Sequence, residues 1–262
     1  MALKIVLIGY GGIASGTAAG IDQVPDVELV GVVVRTAGRA ADDGLAEISF
    51  QQGLETADLF VECAGVDAVR SYGPRIITEG KNLLLTSVGA LAEPELRADL
   101  IEGGPGKLFL TNGAIGGLDI LSGAALTGGL DKVSLETRKT PTSLVQPWMS
   151  EEQQAELKTT STPLTVFEGN VSDAIEKFPE NLNVAVALAH TTEMWEETVV
   201  RLIADPDAEQ TKHVITAAGS AGSYQFQINN RPLPDSPATS GIVIGSVLSG
   251  IRTIAGASGI NV

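Results

Sequence analysis

The sequence predicts an α/β protein, with a doubly wound parallel sheet at the N-terminal end and a second α+β domain built on a mixed sheet. Three observations carry this. Through residue 112 short apolar runs alternate with helical patterns, the rhythm of parallel strands joined by crossover helices. The apolar runs are nearly continuous, as in strands covered on both faces. Beyond Asn112 one stretch alternates with period two and later strands follow one another across glycine-rich turns such as Gly219-Ser220-Ala221-Gly222, which suits antiparallel or mixed pairing.

Residues 4–8 form the first expected strand and run into Gly9-Tyr10-Gly11-Gly12. A helix over 13–23 and a strand over 27–34 follow. Further strands are expected at 58–63, 82–87 and 107–111, separated by helices near 67–79 and 93–102. Pro94 falls in the first turn of the latter, where a missing N–H costs nothing. Residues 113–127 read as one helix rich in small residues. Residues 132–139 alternate, and 164–167, 198–203, 214–217 and 224–228 read as strands. Residues 185–190 are an apolar helical run, 149–162 a polar loop or short helix, and 236–254 a closing helix with Pro237 near its start. The expected division is a nucleotide domain over 1–112, an α+β catalytic and dimerisation domain over 113–235, and a C-terminal helix over 236–262.

Composition narrows the function. The 262 residues carry 17 Lys+Arg against 32 Asp+Glu, a net charge of −15, and 44% are hydrophobic. That is the profile of a packed globular protein. The acidic balance argues against nucleic acid, whose binding runs on Lys and Arg neutralising phosphates, and against an anionic membrane surface. Apolar stretches are broken by glycine or charge short of a membrane span. The single cysteine, Cys63, rules out an internal disulfide. Met1 leads into an apolar strand without a basic leader. A soluble cytoplasmic metabolic protein with a small-molecule substrate and no metal site is expected.

Gly9-Tyr10-Gly11-Gly12-Ile13-Ala14 is a G-x-G-x-x-A pattern that follows a strand and opens a helix. In that context it reads as the fingerprint of a Rossmann domain; the alternative is a tight β-to-α turn that binds nothing. The first glycine makes the tight turn, the second lets a pyrophosphate approach the backbone, and the small third residue lets helix and strand pack closely. The helix N-terminus then offers free N–H groups to the phosphates. Gly9, Gly11, Gly12 and Ile13 are therefore expected cofactor contacts, with Ala64 beyond the third strand. Arg35 stands where many NAD enzymes have an acidic residue, about 20 residues past the motif. An arginine there pairs with a 2′-phosphate, so NADP is favoured and NAD remains open; the alternative is a solvated surface arginine.

The second domain holds the only histidines, His190 and His213. A redox step at a C–N or C–O bond needs a proton acceptor near neutral pH, and imidazole is the usual one. His213 opens a predicted strand after a polar loop and is the candidate; a satisfied surface histidine is the alternative. His190 reads as structural or exposed. Asn183 either caps a helix or hydrogen-bonds a carboxamide or substrate. Arg138 and Lys139 end a strand and either clamp carboxylates or lie solvated. Thr239 and Ser240 either serve anions or start the last helix.

Together these segments resemble the L-aspartate dehydrogenase family. The resemblance rests on residues 9–14, Ser87-Val88-Gly89-Ala90-Leu91, Gly113-Ala114-Ile115-Gly116-Gly117-Leu118-Asp119, Thr137-Arg138-Lys139, residues 178–183, Ala204-Asp205-Pro206, His213 and Thr239-Ser240, in order along nearly the whole chain. It implies a two-domain enzyme, usually dimeric, whose last helix returns to the Rossmann domain. Such enzymes oxidise L-aspartate to iminosuccinate with NAD or NADP. Water then releases oxaloacetate and ammonia, or iminosuccinate feeds NAD synthesis. The family's catalytic histidine falls on His213, and its nicotinamide-side positions fall on Ala114 and Asn183. Lys139, Asn183, Thr239 and Ser240 are then expected to hold the substrate. Thr111-Asn112 and the stretch 189–198, with His190, Trp195 and three glutamates, depart from the family pattern. Two alternatives follow: reduction of another oxo- or imino-acid on the same scaffold, and a non-catalytic NAD(P)-binding sensor.

Overall fold

The computed structural model describes residues 2–178, 182–233 and 236–256, without side chains at 236–238. The chain divides into two compact units: residues up to Gly113 together with the stretch from Val243, and Ala114–Ile242.

The first unit runs β1 (Leu3–Ile8), α1 (Gly12–Gly20), β2 (Val27–Val33), α2 (Arg39–Asp42), α3 (Phe50–Thr56), β3 (Leu59–Glu62), α4 (Val66–Thr78), β4 (Asn82–Leu85), α5 (Pro94–Glu102) and β5 (Leu108–Leu110). Its strands are parallel in the order β2-β1-β3-β4-β5. This is a doubly wound Rossmann-type sheet, and the chain reverses direction of travel across it between β1 and β3, where such sheets bind ligands. Ile5, Leu7, Leu59, Phe60, Leu83 and Leu84 are buried, as continuous apolar strands between two helical layers require.

The second unit runs α6 (Leu118–Leu126), β6 (Lys132–Lys139), α7 (Glu151–Thr159), β7 (Leu164–Gly169), α8 (Val171–Lys177), α9 (Asn183–Thr192), β8 (Val199–Ala204), β9 (Thr211–Gly219), β10 (Gly222–Asn230), β11 (Pro232–Leu233) and β12 (Ser236–Ser240). The sheet order is β10-β9-β6-β8-β7. Only β6 and β8 pair in parallel, so the sheet is mixed. The period-two alternation of β6 buries Val133, Leu135, Thr137 and Lys139 on one face.

The structure corrects two elements of the sequence reading. The helix expected over 113–127 begins only at Leu118. Gly113 and Gly117 take φ +60° and +80°, which breaks a right-handed helix, and a Cβ at Gly117 would lie 2.6 Å from the Phe226 ring. The closing helix expected from residue 236 begins at Ile242 as α10 (Ile242–Ile254), and Ser236–Ser240 is instead the strand paired with β11. Pro237 drives the residue before it towards extended backbone. Of the two forms expected for the polar stretch 149–162, the structure shows the short helix, α7, started by a capping box between Ser150 and Gln153.

α10 packs within the first unit. A side chain at Gly16 or Gly20 of α1 would meet Ile244 and Leu248, and one at Gly250 would meet Leu84 of β4.

Candidate functional site

In the first unit the turn after β1 is shaped by contact. Gly9 has φ +87°, and a Cβ there would sit 2.6 Å from the Cβ of Ala64. The β1–α1 turn therefore lies against the loop that follows β3. At Gly11 a Cβ would meet no atom within 4 Å, so a ligand has room to reach the backbone. Gly11 is also the N-cap of α1 and supplies no side-chain cap to its first turn. The exposed N–H groups and the dipole suit a pyrophosphate, so this turn fits a dinucleotide. Arg35 is exposed two residues beyond β2. Tyr10 donates its hydroxyl to Asp43 at 2.7 Å, and burial together with that carboxylate pushes the phenol up to about 12.

Beneath the turn lies a residue that the sequence reading passed over. Glu62 ends β3 and is 1% exposed. Its Oε1 accepts from the backbone N–H of Ala64 (2.6 Å) and Gly65 (2.7 Å) and from Ser87 Oγ (3.0 Å), while Oε2 accepts from Ser87 N–H (2.9 Å). Burial raises its proton affinity, and the four hydrogen bonds pull the other way. The carboxylate thus joins the ends of β3 and β4 and holds Ala64 in place against Gly9. The signal was a glutamate closing the otherwise apolar run Leu59-Phe60-Val61-Glu62.

In the second unit the sheet gathers a polar group on its buried face. His213 of β9 is paired in register with Thr137 of β6, and Thr137 Oγ1 lies 2.9 Å from His213 Nδ1. Both are buried, and Lys139, two residues along the same face, is 7% exposed. Burial lowers the Lys139 ammonium to about 8. Burial, and then the charge of Lys139, lowers the His213 imidazole to about 3. His213 and Lys139 are therefore brought together, and the surface reading of His213 is set aside.

Arg138 faces the other way, bound to Glu136 (2.8 Å) and Asp205 (3.6 Å), so the expected clamp reduces to Lys139. Asn183 is the first residue of α9, with Leu182 rather than Asn183 as its N-cap. Ala114 is buried and its carbonyl accepts from Asn230 Nδ2 at 2.7 Å. Thr239 and Ser240 lie half-buried on β12. His190 meets Trp195 edge-on, their rings 6.3 Å apart. Of the expected residues, Gly9, Gly11, Gly12, Ile13, Arg35 and Ala64 belong to the first unit, and Ala114, Lys139, Asn183, His213, Thr239 and Ser240 to the second.

The family matches follow this division except that the C-terminal one runs on through α10, which packs in the first unit. Residues 9–104 match the NAD-binding domain of homoserine dehydrogenase, and residues 119–254 match the family described as aspartate dehydrogenase, C-terminal. The L-aspartate dehydrogenase of Ruegeria pomeroyi is 36% identical over 259 residues, spanning 95% of this chain and 92% of its own. The chain belongs to the aspartate dehydrogenase family. Another aspartate dehydrogenase relative, from Methanosarcina mazei, is 32% identical over 96% of this chain and 97% of its own. The crystal structure of aspartate dehydrogenase from Thermotoga maritima superposes with a TM-score of 0.76 at 26% identity, covering 100% of both chains. Aspartate dehydrogenase membership thus extends over both units and includes α10. Among the described residues no helix is long and apolar enough to cross a membrane, and no three His, Cys, Asp or Glu side chains gather as a metal-binding group.

Proposed function

We propose that this protein is an NAD(P)-dependent L-aspartate dehydrogenase, interconverting L-aspartate with iminosuccinate, and thence oxaloacetate and ammonia. The observation that carries the reading is the buried His213–Lys139 pair in the family's C-terminal segment. An acidic chain that brings two basic side chains together on one buried sheet face concentrates positive potential where a small anion can be recognised. When bound, NAD or NADP supplies the nicotinamide that exchanges hydride with the substrate Cα.

The chain's own residues do the rest. Gly9, Gly11, Gly12 and Ile13 take the pyrophosphate at the opening of α1, with Ala64 beside them and Arg35 reading a 2′-phosphate. Ala114 and Asn183 serve the nicotinamide side. Lys139, Asn183, Thr239 and Ser240 hold the substrate's carboxylates. His213 meets the reacting C–N unit. A dicarboxylate arriving beside Lys139 and His213 raises the proton affinity of both. We further place the protein in the cytoplasm as a homodimer, with iminosuccinate available to nicotinamide-nucleotide synthesis.

Initial rates with oxaloacetate, ammonia and each reduced nucleotide test the reading. Oxidation of NADH or NADPH that requires both oxaloacetate and ammonia supports it. Turnover with a different oxo-acid in preference to oxaloacetate replaces the substrate. Nucleotide binding with no turnover across a panel of oxo-acids replaces the enzyme with a sensor.

A further inference from the structure

Thr137 lies in the interior of β6 with its side chain fully buried. Among the described residues the partner of its hydroxyl is Nδ1 of His213, at 2.9 Å. A hydroxyl has one proton to give, and a neutral imidazole has one N–H. With the imidazole proton on Nδ1, the hydroxyl accepts that bond and its own proton is left to find a second acceptor in an apolar layer. With the proton on Nε2, the hydroxyl donates to Nδ1 and every proton in the pair is used. Buried polar groups settle into the arrangement that satisfies them.

We infer that Thr137 holds neutral His213 as its Nε2–H tautomer, so that the imidazole meets the substrate as a hydrogen-bond donor and Thr137 is its positioning residue. This deepens the reading of His213 given above and rests on it. The strong lowering of the imidazole by burial and by Lys139 keeps it neutral across the working range of pH, so a second N–H does not supply the donor. A neutral imidazole donating from Nε2 polarises a C=O or C=N bond as hydride reaches the carbon, and gains a shorter, stronger bond as negative charge develops there. It does not accept a proton at Nε2, so the proton leaving the substrate ammonium passes to water. The sequence reading names Thr137 only within the matching Thr137-Arg138-Lys139 segment and gives it no role, because a threonine in an alternating strand is also ordinary β-former chemistry.

The chain's two histidines make the test direct. In protein labelled with ¹⁵N-histidine, His190→Gln assigns the two imidazoles. The expected wild-type spectrum has His213 with a protonated Nε2 and an unprotonated Nδ1 from pH 6 to 8. Thr137→Val, which keeps the shape and removes the hydroxyl, is expected to mix the tautomers and lower kcat by roughly tenfold to a hundredfold with the NADPH Kd unchanged. Thr137→Ser is expected to restore both. A wild-type His213 protonated on Nδ1 overturns the inference without any variant, and so does a Thr137→Val protein with the wild-type spectrum and turnover. Full turnover in His213→Ala removes the reading on which the inference rests, whereas an Nδ1–H spectrum with His213-dependent turnover removes the inference alone.

Discussion

Lys139 and His213 share the buried face of the second sheet, and the charge of the lysine depresses the proton affinity of the imidazole. The lysine is a stability cost. Its ammonium is lowered from 10.5 to about 8 by burial, so between those pH values the unfolded chain binds more protons than the folded one and stability rises with pH. The cost is fully present below pH 8 and gone above about 10.5, and amounts to about 3 kcal/mol. Lys139→Met, which fills similar space without charge, is expected to be more stable in urea at pH 7, with the advantage vanishing near pH 10.5. It is also expected to raise the KM for aspartate and to raise the imidazole's proton affinity. A variant no more stable than wild type at pH 7 shows that Lys139 is not held at this cost.

His213→Ala is expected to lower turnover by about 10²–10³-fold while the affinity for NADPH, measured by fluorescence titration, stays within about twofold. A loss of nucleotide affinity with turnover preserved at saturation would move His213 out of the chemical step.

The two glycines of the turn separate fold from ligand. Gly9→Ala forces a Cβ into the left-handed region and to 2.6 Å from Ala64, and is expected to cost about 1–2 kcal/mol or more in urea. Gly11 has φ −96° and open space where its Cβ would go. Gly11→Ala is therefore expected to melt like wild type yet weaken NADPH at least tenfold, because the methyl stands where the pyrophosphate approaches. Unchanged affinity in that variant places the nucleotide elsewhere.

Arg35→Asp replaces a cation with a group that repels a 2′-phosphate and accepts from a ribose 2′-hydroxyl. The ratio of kcat/KM for NADPH over NADH is expected to fall by about tenfold or more, since removing a charged hydrogen bond is worth roughly 1.5–3 kcal/mol. An unchanged ratio shows that the exposed guanidinium does not read the phosphate.

Glu62→Gln puts an amide N–H₂ among donors that all point at the side chain. It is expected to destabilise the first unit by about 1–3 kcal/mol in urea and to raise the KM for nucleotide through Ala64 and Gly9, with kcat less affected. Stability equal to wild type would mean the four hydrogen bonds are readily replaced.

Much of this was legible in the chain. The apolar runs that became β1 to β5 are recognisable because strands buried on both faces need little else, Gly9 because few residues permit its left-handed turn, and Gly11 because a pyrophosphate needs a bare backbone to approach. His213 stood out by scarcity, Lys139 by its place at the end of an alternating strand. What escaped reading depends on contacts distant in sequence. Glu62 meets Ser87 from 25 residues away and Thr137 meets His213 from 76, and no local pattern announces either meeting. The helix forecast over 113–127 failed at Gly117, whose backbone is set by the Phe226 ring. The strand at Ser236–Ser240 was read as helix because its pairing partner, Pro232–Leu233, is too short to signal itself.

α10 has one more consequence, for synthesis. Its residues cover Gly16 and Gly20 of α1, yet they are translated after the whole of the second unit. A ribosome-bound chain has made every strand of the nucleotide sheet by residue 110 and still lacks the helix that seals it until residue 254. The bare side of α1 must wait for that contact, for roughly 7–30 seconds at elongation of about 5–20 residues per second.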